Sequence, residues 1–98
     1  MAGIRWTPQA LNDLEAIAKF ISRDSPHYAR LFVLKIFSSV ERLQLFPRSG
    51  RIVPELKRPS IREIILGDYR IVYRAKGKRL EILTVHNGAK LFHPAKFN

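Results

Sequence analysis

Arg70, Arg74 and His86 are the residues of this 98-residue chain whose types and spacing point most directly to chemistry. Both arginines lie in the stretch YRIVYR, and their even spacing puts them on one face of a β-strand. Such a pair is either solvated decoration or a surface that grips an anion, because a guanidinium fork matches carboxylate and phosphate oxygens. His86 ends the next β-like run, where an imidazole is either a proton carrier or a hydrogen-bonded surface residue. His27 falls in the first turn of a helix, where positive charge opposes the helix dipole, and His93 sits beside Pro94. The three histidines lack metal-ligand spacing. There is no cysteine, and no Ser-His-Asp arrangement, phosphate-cradling glycine motif or carboxylate dyad stands out. Neither a metal nor a cofactor is expected.

The elements that must position these residues follow from pattern. Gly3 to Trp6 is a short opening strand. Thr7-Pro8 then reads as an N-cap followed by proline at the first helical position. Leu11, Leu14, Ile17, Ala18 and Ile21 recur at helical spacing, which predicts an amphipathic helix from about Pro8 to Arg23. Ser25-Pro26 repeats the start signal, and Ala29, Phe32, Val33, Ile36, Phe37, Val40 and Leu43 form a second apolar stripe, stopped by Pro47 and Gly50. The segment PRSGRIVPELKRPS reads as a loop with a short strand at Ile52-Val53. Ile61–Leu66, Tyr69–Arg74 and Leu80–Val85 are β-like and predict a three-stranded antiparallel meander. The fold class is α+β in one domain over residues 1–98: a strand, a two-helix hairpin and a small antiparallel sheet.

Gly67-Asp68 is a two-residue hairpin signal, and it sets a register. Leu66 lies opposite Tyr69, Ile64 opposite Ile71 and Arg62 opposite Tyr73. Ile65 lies opposite Arg70, and Glu63 opposite Val72. The more apolar face, with Ile64, Leu66, Tyr69 and Ile71, is expected to pack on the helices. Glu63, Arg70, Val72 and Arg74 then share a concave or solvent-facing surface. There Arg70 either forms an exposed ion pair with Glu63 across the hairpin diagonal, or is held for an anion. Arg62 either packs its stem at the sheet edge or joins the same anion-facing set.

Charge bears on the choice. The formal net charge is +10, with 18 Lys and Arg against 8 Asp and Glu. Residues 1–47 hold six basic and four acidic residues, a net of +2, whereas residues 48–98 hold twelve and four, a net of +8. A small domain with one strongly basic half is expected to meet a polyanion or an acidic partner. No apolar run approaches the ~20 residues of a membrane span, and no signal-peptide core follows Met1, so a cytoplasmic protein is expected.

Five stretches in order, LNDLEAIAKFI, SPHYARLFVLKI, LQLFPRSGRIVPEL, IREIILGDYRIVYR and ILTVHNGAK, make the chain resemble the RelE/ParE superfamily of type II toxin–antitoxin (plasmid stabilisation) toxins over essentially its whole length. The resemblance implies a poison held inactive by an acidic, partly disordered cognate antitoxin. It also implies one of two targets. ParE-like members block DNA gyrase; RelE-like members cut mRNA in the ribosomal A site. Matched position by position, the RNase branch would use Glu55 as general base, Arg70 as phosphate clamp and His86 as general acid, with Lys57 and Arg62 as auxiliary phosphate contacts. Asn87, Gly88 and Ala89 follow His86 where RNase members carry aromatic or further basic residues. The ending TVHNGAK, with GRIVPEL, REII and YRIVYR, is closer to the ParE-like branch, which is the expected one.

Overall fold

The two Ser/Thr-Pro signals start the helices as their chemistry requires. In the computed structural model, which describes residues 2–89, helix α1 spans Pro8–Ser22 and α2 spans Pro26–Leu43. The Thr7 side chain accepts the Ala10 N–H at 3.2 Å and Ser25 accepts that of Tyr28 at 3.1 Å, so each caps an otherwise orphaned donor. Proline takes the first turn of each helix, where its missing N–H has no consequence.

Five strands form one mixed sheet: β1 Gly3–Trp6, β2 Arg51–Ile52, β3 Ile61–Leu66, β4 Tyr69–Lys76 and β5 Arg79–Asn87. Their order is β1-β5-β4-β3-β2, with β1 parallel to β5 and the other pairs antiparallel. The Gly67-Asp68 turn delivers the expected register, from Leu66 opposite Tyr69 to Arg62 opposite Tyr73. Gly67 supplies the positive φ, +59°, that a tight turn of this hand requires. The last hairpin is longer than its apolar pattern predicts. Gly77, also at φ +59°, makes a turn so tight that the ladder continues through charged residues to Lys76 opposite Arg79.

Both faces of the sheet are covered. Leu14 of α1 and Ile36, Val40 and Leu43 of α2 bury the inner face with Ile71, Tyr73, Ile82 and Val85. A second, smaller core of Val53, Ile61, Val72 and Leu83, with Leu56 packed against it, lies on the outer face. The expectation of a solvent-facing outer surface around Arg70 is therefore corrected. Irregular chain after β2 lies over it, and Arg70 is only 9% exposed.

One irregularity sets the aim of β5. Val72 pairs with Thr84 but Tyr73 pairs with Ile82, so Leu83 is an extra residue, a β-bulge. α1 supplies partners there. The Thr7 hydroxyl donates to the Ile82 and Leu83 carbonyls at 2.7 and 3.2 Å. The Asp13 carboxylate accepts the Thr84 hydroxyl and, at 3.3 Å, the Val85 N–H. The helix start is thus welded to the strand that carries His86. Among the described residues, no helix is long and apolar enough to cross a membrane.

Candidate functional site

Alternation along β3 and β4 places Glu63 and Arg70 on the outer face, and β2 brings Arg51 directly opposite Glu63. Four side chains then form an alternating chain of charge. Arg51 Nε donates to Glu63 Oε2 at 2.5 Å, and Arg70 Nε donates to Glu63 Oε1 at 2.6 Å. Arg70 Nη1 and Nη2 donate to the two Glu55 oxygens at 2.7 and 2.8 Å. The Glu63 side chain has no solvent exposure, so a carboxylate with no water is held by two guanidinium groups. The two-pronged Arg70–Glu55 pair is the stronger geometry for this ion-pair type.

The electrostatics follow the contacts. The hydrogen bonds from Arg70 hold the Glu55 carboxyl at about 2, against desolvation that pushes the other way. Glu55 raises Arg70 in return, again against desolvation, so both are ionised at any physiological pH. Two acids facing two bases leave the group with no formal net charge. As an exposed pair, Arg70–Glu63 would contribute about 0–1 kcal/mol. Buried, it is a different object, because losing either partner strands a charge away from water.

His86 lies directly opposite Arg70 across the β4–β5 ladder and is half-buried. Glu55, Arg70 and His86, far apart in sequence, therefore converge. A shallow depression of about 320 Å³ lies beside them, with Arg51, Arg70, Asp68 and Gly88 in its lining. The other expected anion contacts are not gathered there. Arg62 turns to the loop: its Nε donates to the Pro59 carbonyl at 3.1 Å and its Nη1 to the Gly50 and Arg48 carbonyls at 2.9 and 3.3 Å. Arg74 is four residues along β4, roughly 13 Å away at strand rise, and faces Glu81 at 3.5 Å. Lys57 is exposed in the loop before β3, with φ of 52°. His93 lies outside the described residues. Among those described, no group of three or more His, Cys, Asp or Glu is placed to hold a metal ion.

The sequence reading did not anticipate Arg51, nor the burial of Glu63. Arg51 precedes the expected short strand by one residue, and only the observed pairing reveals that it faces Glu63. Tyr73 secures the loop before β2. Its hydroxyl donates to the Pro47 carbonyl at 2.7 Å and accepts the Gly50 N–H at 3.0 Å, and burial pushes its pKa up. Gly50 fits because it has no side chain: a Cβ there would stand 2.6 Å from the Tyr73 hydroxyl and 2.7 Å from the Glu63 carbonyl oxygen.

Comparison with known proteins agrees with this architecture. A family model described as the ParE toxin of type II toxin–antitoxin system, parDE, matches residues 4–92. The Y4kP protein of Sinorhizobium fredii, whose name marks it as a candidate toxin, is 42% identical over 84 residues, covering 84% of this chain and 83% of that one. Toxin RelE2 of Caulobacter vibrioides is 30% identical over 92 residues, covering 93% and 100%. A chain from the chromosomal ParDE toxin–antitoxin system of P. aeruginosa superposes with a TM-score of 0.72 at 29% identity, covering 89% of this chain and 96% of that one.

Proposed function

This chain belongs to the ParE toxin family of type II toxin–antitoxin systems, and from that premise we propose that it acts by binding rather than by catalysis, inhibiting DNA gyrase until a cognate acidic antitoxin neutralises it. The observation that carries the reading is the state of Arg70. All three of its nitrogens donate to Glu55 and Glu63, so a phosphate clamp at this position would first have to displace a carboxylate. Glu55, held at about 2, is a weak proton acceptor at neutral pH, whereas an effective general base titrates near the working pH. Glu55 and Arg70 read better as the brace of a binding scaffold.

The antitoxin half of the proposal has its own support. Phe20, Tyr28, Leu34 and Phe37 are exposed on the helical hairpin, at 62%, 67%, 56% and 39%. Apolar side chains on a chain of net charge +10 suit an acidic, amphipathic partner. In cells such a complex would be cytoplasmic. The deciding experiment is a supercoiling assay with purified gyrase, in which added toxin should inhibit the enzyme. Unchanged supercoiling across a wide molar excess would overturn the proposal.

The mRNA-interferase reading keeps one observation in its favour, the convergence of Glu55, Arg70 and His86. Primer extension on a reporter mRNA in a reconstituted translation reaction separates the two. Cuts confined to ribosome-occupied codons would replace the gyrase reading with this one.

A further inference from the structure

The charge that the Arg70 network does not neutralise collects at one end of the sheet. β4 and β5 meet in the run RAKGKR, residues 74–79, which carries four basic residues and no acidic one. Lys76, Lys78 and Arg79 are exposed there. Backbone pairing brings two more segments to the same end. The Ser60 carbonyl accepts the Ala75 N–H at 2.8 Å, placing the loop with Lys57 and Arg58 beside the end of β4. Gly3 N–H donates to the Lys78 carbonyl at 2.8 Å, placing β1 and Arg5 on the other flank. Within residues 3–5, 57–60 and 74–81 the acidic side chain is Glu81, which faces Arg5 at 2.8 Å and Arg74 at 3.5 Å. Seven cations against one carboxylate leave a local charge of +6. A shallow depression of about 680 Å³, lined in part by Arg5, Lys76, Arg79 and Glu81, opens among them.

We propose that this end of the sheet binds the phosphate backbone of a nucleic-acid duplex, independently of the Arg70 network and of which target the toxin acts on. Four strands side by side span about 14 Å, about the axial length of four base pairs of a duplex at 3.4 Å each. The cations sit on turns and strand ends, where their long stems reach outward without needing a groove. No Phe, Tyr or Trp occurs in the three segments, so the stacking platform that single strands use is missing. An acidic amphipathic peptide is the other polyanion to consider. The large exposed apolar residues that would seat one lie elsewhere, on the helices, at Leu45 and Phe46, and at Ile52 and Ile65. Contacts confined to phosphates would be indifferent to sequence.

The test is fluorescence anisotropy of a short labelled DNA duplex of arbitrary sequence with the purified chain, titrated with salt. Binding should weaken with a log–log slope of about −3 to −4, as for about four phosphates. Lys76→Gln, Lys78→Gln and Arg79→Gln together should weaken binding ~10-fold or more and make the slope shallower by about 2 to 3. Gly77 stays in place to preserve the turn, and a thermal melt checks folding. Should that variant fail to fold, Lys57→Gln with Arg58→Gln, from a different segment, should still weaken binding. Arg23→Gln, Arg30→Gln and Lys35→Gln remove as much charge from the helical hairpin and should have much the smaller effect. An RNA duplex bound as tightly as the DNA would support backbone recognition. Equal losses in the tip and helix variants would overturn the proposal. So would tighter binding of a single strand than of the duplex, or absence of salt-dependent binding to either.

Discussion

Arg70 grips the Glu55 carboxylate with both terminal nitrogens, at 2.7 and 2.8 Å, while its Nε holds Glu63 at 2.6 Å. One guanidinium thus ties the irregular segment after β2 to two adjacent strands of the sheet. The arrangement has consequences for stability, for pH response and for what the site can do.

Stability should fall as Glu55 is protonated. Its folded-state pKa, about 2, lies below the ordinary 4.5, so the contribution is fully present above 4.5 and is lost as pH falls towards 2. About a third of the side chain, 35%, is exposed, and solvent screening reduces the effect to about 1 kcal/mol. Thermal melts of the parent and of Glu55→Gln between pH 5 and 2.5 should show a flatter dependence for the variant. Parallel curves would mean the pair contributes nothing.

Glu63→Gln should be the more damaging change, although it is nearly isosteric. Glu63 is fully buried between Arg51 and Arg70, so its neutralisation leaves Arg70 short of one counter-charge beneath the covering loop. A loss of about 3 kcal/mol is expected, the lower end for breaking a buried pair, because Glu55 remains. A urea midpoint within error of the parent would contradict it.

Tyr73→Phe should cost about 1–3 kcal/mol, the penalty for leaving the Pro47 carbonyl and Gly50 N–H without their buried partner. Amide hydrogen exchange at Gly50 should accelerate in this variant while exchange at Val72, in the strand ladder, stays slow. Unchanged exchange at Gly50 would show that Arg62 alone secures the loop.

His86→Gln should leave growth inhibition within about twofold of the parent if the toxin acts by binding. General acid catalysis at this position would instead predict a loss of ~10²–10⁴ in cleavage. Dose–response curves after graded induction distinguish the two. Arg70→Ala should impair inhibition more than Arg79→Ala, because it releases both Glu55 and Glu63 and loosens the scaffold, whereas Arg79 is an exposed residue beside a turn.

Much of the frame is legible in local sequence. Thr7-Pro8, Ser25-Pro26 and Gly67-Asp68 are short-range signals whose physics acts on neighbouring residues, and the first hairpin register follows from a turn of two residues. The placement of Glu63 and Arg70 on one face follows from alternation alone. Their burial does not. It depends on residues 53–56, which have no periodicity and gain their position through Val53 and Leu56 meeting Ile61, Val72 and Leu83 and through Glu55 meeting Arg70. The bulge at Leu83 is equally silent, because its partners, Thr7 and Asp13, lie more than 70 residues away. Charge counting found the basic half but not its division into a neutralised centre and a cationic end, which only strand pairing reveals.

The parallel edge pairing carries a consequence for synthesis. Gly3–Trp6 is made before the other four described strands, yet its sheet neighbours are Arg79–Ile82, in the last of them to leave the ribosome. Until they appear, Ile4 and Trp6 lack the strand they lie against, and α1 lacks the bulge that Thr7 and Asp13 complete. Contacts so remote in sequence make assembly late and cooperative. A nascent chain stopped at Lys78 should therefore be digested readily by protease where the full-length chain resists. The sheet therefore closes only when its first strand meets the last strand described, so no shorter nascent segment carries the finished surface.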